Sequence, residues 1–390
     1  MTAAAVSRSW DVFCRVIDNF GDAAVCWRLA QQLAAEHGAR VRLWIDELDA
    51  LHALCPDVAG GRAFQSLAGV DIRHWSPNSD FGLPAEIVVD AFGAGLPDVY
   101  VEAMVQRDPR TLWIILEYLS AESWVGAHHG LPSPHPRLPL TRYFFFPGIV
   151  PGTGGVLKEA SLEARRSAFQ AGRDAQAGFW RGLGFVPPGH EAIAVSLFGY
   201  DNPALAGLMQ NWAAGGRRVV AAVPRSTLRR QAGAFFEVAD PVEGSVLTRG
   251  SLEVRFLPFL PQDSYDKLLW ACDWNFVRGE DSFVRAQWAI RPFAWHIYPQ
   301  RERAHVIKLE TFLDGYCAGL EPLLAQALRA LWQGWNEPSA ACAGEIAMAW
   351  RRLAGNHERL CRHAGNWARK LAFPGDLAAN LALFCEERLK

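Results

Sequence analysis

Short apolar runs alternate along this chain with stretches whose apolar positions recur every three or four residues. "WDVFCRVI" (10–17) is the first run and reads as a buried strand. "AAVCWRLAQQLAAEHG" (23–38) sets Val25, Leu29 and Leu33 on one face and ends at Gly38, which predicts a helix. "RVRLWID" (40–46) reads as the next strand and closes a βαβ unit. Further strands are predicted at 86–92 and 111–119, with a helix over 99–107 between them. A Pro-rich stretch (128–140) interrupts the rhythm, residues 160–181 look helical, and "GLGFVPPGHE" (182–191) marks a break.

A second alternating run starts at "AIAVSLFGY" (192–200) and goes on through a helix near 203–214. It holds strands at 217–224, 252–259 and 273–277, then helices at 281–289, 320–335 and 343–355. Alternation on both sides of a break predicts an α/β protein of two doubly wound, Rossmann-like domains facing across a cleft. The expected layout is an N-terminal domain over 1–160 completed by a helix at 374–390, a linker helix at 161–184, and a C-terminal domain over 185–373. Ligands are expected beyond the carboxyl ends of the strands.

Length and composition suit this picture. A chain of 390 residues exceeds one ordinary core, and half of it is hydrophobic. The formal net charge of −2 provides no global basic field for nucleic acid or an anionic membrane. Eight cysteines are scattered without a C-x-x-C, which favours reduced core thiols over zinc or disulfides. The N-terminus lacks a signal-peptide apolar region, and no run approaches the ~18 apolar residues of a membrane span. A soluble cytoplasmic protein is expected. His128, His129 and His135 invite a metal hypothesis, but no further ligand follows at the usual spacings, so a functional loop is the better reading.

Several strand ends carry candidate chemistry. Asp18-Asn19-Phe20-Gly21-Asp22 follows the first strand; Asp22 reads either as the N-cap of the next helix or as a working carboxylate. Two acids on one loop suit a guanidinium, which carboxylates grip bidentately. In "FVRGEDSFVRAQWA" (276–289), Arg278-Gly279 turns and Asp281 or Ser282 would cap a helix whose start can receive a phosphate. Glu280 and Asp281 argue against a simple anion nest unless one grips a sugar hydroxyl. "FLPFLPQDSYDKLLW" (256–270) offers Phe259 as a stacking platform and Gln262 as a reader of a base edge, or else ordinary core with Asp263 or Ser264 as cap. Phe198 and Tyr200 stand at a strand end, as does Tyr298. No phosphate-loop, dinucleotide or nucleophile-elbow spacing is present.

Taken in order, these stretches resemble the elongation factor P arginine rhamnosyltransferases, the EarP family. The matching pieces are "WDVFCRVIDNFGDAAVCWRLAQQLA", "LEYLSAESWV", "HGLPSPHP", "YFFFPG", "TGGVLKE", "FLPFLPQDSYDKLLWACDWNFVRGEDSFVRAQWA" and "PFAWHIYPQRERAH". The resemblance implies a GT-B fold and inverting transfer from dTDP-β-L-rhamnose to one arginine of elongation factor P. No metal or other cofactor and no nucleic-acid or membrane partner is expected. It implies that Phe259 stacks on thymine, with Gln262 near the base and Phe198 and Tyr200 lining the nucleotide pocket. Asp281 and Ser282 would meet ribose or diphosphate, with Arg278, Gly279 and Tyr298 close by, and Glu280 would act at the sugar or diphosphate as an essential catalytic residue. Asp18 and Asp22 match the family's two essential acids.

The residues' own chemistry agrees. A protonated guanidinium has no free lone pair, so a carboxylate must polarise it or take a proton as it attacks. Asp22 is assigned as base and Asp18 as orienter of the acceptor, or the two roles reversed, with Asn19, Phe20 and Gly21 completing the loop. Asp90 and Gly95 stand where the family leads one to expect glutamates, and Ile115 where it leads one to expect a polar residue. Other readings of the same residues are a GT-B transferase with another nucleotide sugar or a small acceptor, and a non-catalytic nucleotide-binding scaffold.

Overall fold

The computed structural model describes residues 7–17, 20–299, 303–337 and 342–390. The chain divides into two compact units, Met1–Ala160 with Leu371–Lys390, and Ser161–Lys370.

Among the described residues, the first unit is built on eight strands: β1 (Ser9–Cys14), β2 (Arg40–Ile45), β3 (Phe64–Leu67), β4 (Val70–His74), β5 (Ile87–Ala91), β6 (Leu112–Leu116), β7 (Pro132–Pro134) and β8 (Thr141–Phe145). Their order is β3-β4-β2-β1-β5-β6-β8-β7, parallel except for the two edge strands β3 and β7. Strand order reverses direction at β1, between β2 and β5, the position where doubly wound sheets open a binding crevice. β1 is covered on both faces, with Val12, Phe13 and Cys14 wholly buried, which is why it reads as a continuous apolar run.

Asp11, also buried in β1, is satisfied from four directions. It accepts from Arg42 Nε (2.6 Å), Trp44 Nε1 (2.9 Å), the Ala85 amide (3.0 Å) and the Tyr100 phenol. A buried carboxylate is tolerated only with such pairing. The helix Gly21–His37 ends where Gly38 takes φ +61° and the next amide returns to Leu33 O, a glycine-dependent stop.

The second unit holds six strands among the described residues: β9 (Ile193–Leu197), β10 (Val219–Val223), β11 (Val246–Arg249), β12 (Leu252–Phe256), β13 (Trp274–Arg278) and β14 (Phe293–His296). The order is β11-β12-β10-β9-β13-β14, with only β11 antiparallel. β9 marks the reversal. Many of the tryptophans enter this unit's core: Trp350 lies 5.1 Å from Trp212 and 5.2 Å from Trp274, and Phe276 lies 4.8 Å from Trp335.

Some local expectations change. The helical stretch at 160–181 is two helices, Leu162–Ala171 and Arg173–Gly182, parted where Gly172 is extended. The three histidines are occupied locally: His128 Nδ1 contacts Trp124 O, while His129 and His135 accept the amides of Phe146 and Leu138. Among the described residues no three His, Cys, Asp or Glu side chains gather as a metal site. Cys14, Cys26, Cys272, Cys317 and Cys385 are buried free thiols. No helix of the described residues is long and apolar enough to cross a membrane.

Candidate active site

In the first unit, the loop after β1 enters the helix Gly21–His37 through Phe20, whose carbonyl accepts from Ala24 N (2.9 Å). Phe20 is therefore the N-cap, and its side chain makes no capping hydrogen bond. The capping role expected of Asp22 is overturned, because a capping oxygen must precede the first turn and Asp22 already lies within it. Its carboxylate turns back instead. Oδ2 accepts the Ile17 amide (2.8 Å) and Oδ1 accepts the Tyr118 phenol (3.1 Å). The residue is 2% exposed, and the helix N-terminus favours its negative charge. Phe20 and Gly21 form the half-buried entry to this helix. Asp18 and Asn19 lie outside the described residues.

The three unexpected residues of this unit are accommodated by the surrounding structure. Asp90, at the end of β5, accepts the Gly95 amide (3.2 Å), and Gly95 has φ +76°. Burial pushes the Asp90 carboxyl up to about 6, against the pull of the Gly95 and Ala94 amides and of Arg142 and Arg15. Ile115, its register partner on β6, joins the buried cluster around Phe13, Trp44 and Tyr100.

In the second unit, three strand ends carry one aromatic and cationic cluster. The Arg278 guanidinium, where β13 ends, lies 4.6 Å from the centre of Phe198 and 4.8 Å from that of Tyr200, both just past β9. Such placement over ring faces steadies the cation. Tyr200 meets the edge of Tyr298 at 5.4 Å, and its amide donates to His296 Nδ1 at 3.3 Å. Burial, then the nearby charge of Arg278, lowers His296 to about 4, so the ring stays neutral and able to accept near pH 7. Gly199 is needed here. A Cβ on it would lie 2.9 Å from Leu228 and 3.2 Å from His296 Nδ1.

Gly279 turns the chain at φ +63°, and its carbonyl accepts from Trp295 Nε1 (2.9 Å), whose ring stacks on Phe283. The helix Asp281–Trp288 then starts with Glu280 as N-cap and without a side-chain cap, which corrects the expectation that Asp281 or Ser282 caps it. Ser282 Oγ instead donates to Arg278 O and accepts from Arg278 N (3.1 Å), locking the turn. Glu280 and Asp281 are half-buried at that helix start.

Likewise Pro261, not Asp263 or Ser264, is the N-cap of Gln262–Ala271. Gln262 opens this helix and is buried, and Phe259 is half-buried just before it. The helix reaches the cluster through Tyr265, whose ring meets Phe198 at 5.5 Å. The structure thus joins Phe198, Tyr200, Arg278, Ser282 and Tyr298 by contact, while Gln262 lies on the helix whose Tyr265 meets Phe198 and Phe259 on the loop before it. Tyr118, His296, Trp295 and Tyr265 escape a reading by sequence alone. Each is an aromatic at or near a strand end or helix start, and nothing local marks its distant partner.

Comparison with known proteins gives a consistent result. The model of a family described as Elongation-Factor P (EF-P) rhamnosyltransferase EarP matches residues 10–386. A protein-arginine rhamnosyltransferase of Pseudomonas putida is 45% identical over 382 residues, covering 98% of this chain and 99% of that one. One from Pseudomonas aeruginosa is 45% identical over 376 residues, covering 96% and 98%. A solved structure described as the basis for EarP-mediated arginine glycosylation of translation elongation factor EF-P matches with a TM-score of 0.69 and 34% identity, over 98% of this chain and 99% of that one.

Proposed function

The chain belongs to the EarP family of elongation factor P rhamnosyltransferases and is a glycosyltransferase of GT-B fold; from that premise we propose that it moves L-rhamnose from dTDP-β-L-rhamnose to an arginine side chain of elongation factor P, with inversion and without a metal. A protein that modifies a translation factor works in the cytoplasm. The observation that carries the mechanism is the buried Asp22 carboxylate beyond β1, at the reversal point of the first sheet, which accepts the Ile17 amide and the Tyr118 phenol.

The step balances with the chain's own groups. A guanidinium nitrogen forms the bond to the anomeric carbon while the bond from that carbon to the diphosphate oxygen breaks. The electron pair leaves on dTDP, and the proton lost by the nitrogen goes to Asp22. Asp18 orients the acceptor guanidinium. Charge on the leaving diphosphate is met by Arg278 and the amides at the start of Asp281–Trp288.

Phe259 stacks on thymine, Gln262 reads the base edge, and Phe198, Tyr200 and Tyr298 line the nucleotide. Asp281 and Glu280 hold ribose and the sugar diphosphate. Gly279 allows the turn, and Ser282 acts through Arg278, whose backbone it bonds on both sides.

The test is Asp22→Asn with purified elongation factor P, read as the mass gained by the acceptor. Transfer should fall by about 100-fold or more, as loss of a general base does, while affinity for dTDP-rhamnose stays within about twofold because that substrate is bound by the other unit's residues. Transfer at the wild-type rate removes Asp22 as the base.

A further inference from the structure

The ends of β1, β5 and β6, neighbours in the first sheet, meet in a single chain of contacts. Tyr118 lies just past β6 and is 41% exposed, yet its ring is not loose. It stacks on Phe92, just past β5, with centroids 4.4 Å apart and planes within 17°. Phe92 in turn holds φ +58°, a conformation few non-glycine residues adopt. Its amide donates to Leu116 O at 2.7 Å, tying the end of β5 to that of β6. From this platform the Tyr118 hydroxyl reaches across the intervening strand to Asp22 Oδ1.

We propose that Tyr118 is a positioning residue for transfer: clamped on Phe92, its phenol fixes the plane of the Asp22 carboxylate toward the acceptor guanidinium. This rests on the reading of Asp22 as the base. The terminal torsion of an aspartate is broad, whereas a base must stand close to its productive geometry for rate. Two donors from different segments remove that freedom. The Ile17 amide holds Oδ2 and the phenol holds Oδ1, so the carboxylate cannot rotate without losing both. Backbone in a sparsely populated region persists where the surroundings over-determine it, and often beside an active site. Phe92 fits that pattern, since its conformation delivers the ring that steadies Tyr118.

Tyr118→Phe keeps the ring and the stack and deletes the hydroxyl. In the full-length enzyme with dTDP-rhamnose and elongation factor P, kcat should fall tenfold or more. KM for either substrate should stay within twofold and the melting temperature should not move. Phe92→Leu keeps the hydroxyl and removes the platform, and should lower kcat in the same direction by a smaller factor.

Wild-type kcat in Tyr118→Phe overturns the proposal. So does a raised KM for elongation factor P at unchanged kcat, which would make Tyr118 an acceptor contact. A loss of kcat that tracks a lowered melting temperature in both variants makes the contact structural and equally overturns it. Asp22→Asn separates the two claims. If it is inactive while Tyr118→Phe is normal, only the positioning role fails; if it is fully active, the base assignment itself falls.

Discussion

Asp90 shows what one buried carboxylate costs near the end of a strand. Its pKa in the fold, about 6, lies above the unfolded value of 3.8, so the native state binds the proton more tightly than the unfolded chain. Stability from this group is greatest at low pH, falls as pH rises from about 4 to about 6, and is flat above. Two pKa units correspond to about 3 kcal/mol at neutral pH. Asp90→Asn retains an oxygen for the Gly95 amide and removes the charge. It should raise unfolding stability at pH 8 by up to about 3 kcal/mol, with the gain vanishing near pH 4, in denaturant titrations at the two pH values. A gain of equal size at both would assign the effect to packing instead. The charge persists because its acceptor oxygen closes the short loop that begins at Phe92, the ring beneath Tyr118. No reading of "VVDAFGAGLP" alone exposes that link, since Phe92 and Tyr118 are far apart in sequence and meet only because β5 and β6 pair.

At the scale of elements, the helices Gln262–Ala271 and Asp281–Trp288 each follow a loop proposed to meet the nucleotide sugar, and a buried ion pair joins them. Asp266 and Arg285 are both 1% exposed at the side chain and make two bonds, of 3.0 and 2.6 Å. Removing one partner of a buried pair costs about 3–5 kcal/mol, whereas an apolar replacement of both is far milder. Asp266→Ala should lose that much in urea unfolding, and Asp266→Leu with Arg285→Met should recover most of it; a double variant no better than the single one refutes the pairing argument. Such an arrangement was half legible in the sequence. Strands covered on both faces, β1, β5, β6, β9 and β13, print as apolar runs and are found at their places within a few residues. The edge hairpin β3–β4 does not, because its faces are half exposed and its turn puts Ala68 at φ +51° before Gly69 at φ +78°. That is a primed turn without the usual Asn-Gly or Asp-Gly. Helix caps misled for a related reason. Asp22, Asp263, Asp281 and Ser282 are all good capping residues, but each sits inside its first turn, where Asp22 and Ser282 bond to the loop before the helix.

For the whole molecule, the first unit is assembled from both ends of the chain, and its C-terminal piece is more than an appendage. Asp376 caps the helix Leu377–Arg388 through the amides of Ala378 and Ala379 (3.0 and 3.1 Å) and also accepts Gln32 Nε2 (2.9 Å) from the first helix. Leu377, Leu381 and Cys385 are buried against the unit, and Phe384 packs on Phe145 and Tyr143. Burying a leucine is worth about 1.5–3 kcal/mol, so the two leucines alone supply about 3–6 kcal/mol. A domain of this size holds about 5–15 kcal/mol in all, so loss of the helix removes a large share of the unit's stability. A chain ending at residue 373 should therefore lose transfer to elongation factor P and show an early unfolding transition. Its affinity for dTDP-rhamnose should survive, since the residues proposed to bind it, Phe198, Tyr200, Phe259, Gln262, Arg278 and Tyr298, all belong to Ser161–Lys370. Asp376→Ala, which keeps the helix and removes both its cap and the Gln32 bond, should cost at least about 1 kcal/mol and leave transfer measurable. Wild-type transfer and melting in the shortened chain would sink the argument. Lost nucleotide binding in the shortened chain would show that the second unit does not hold its donor site alone.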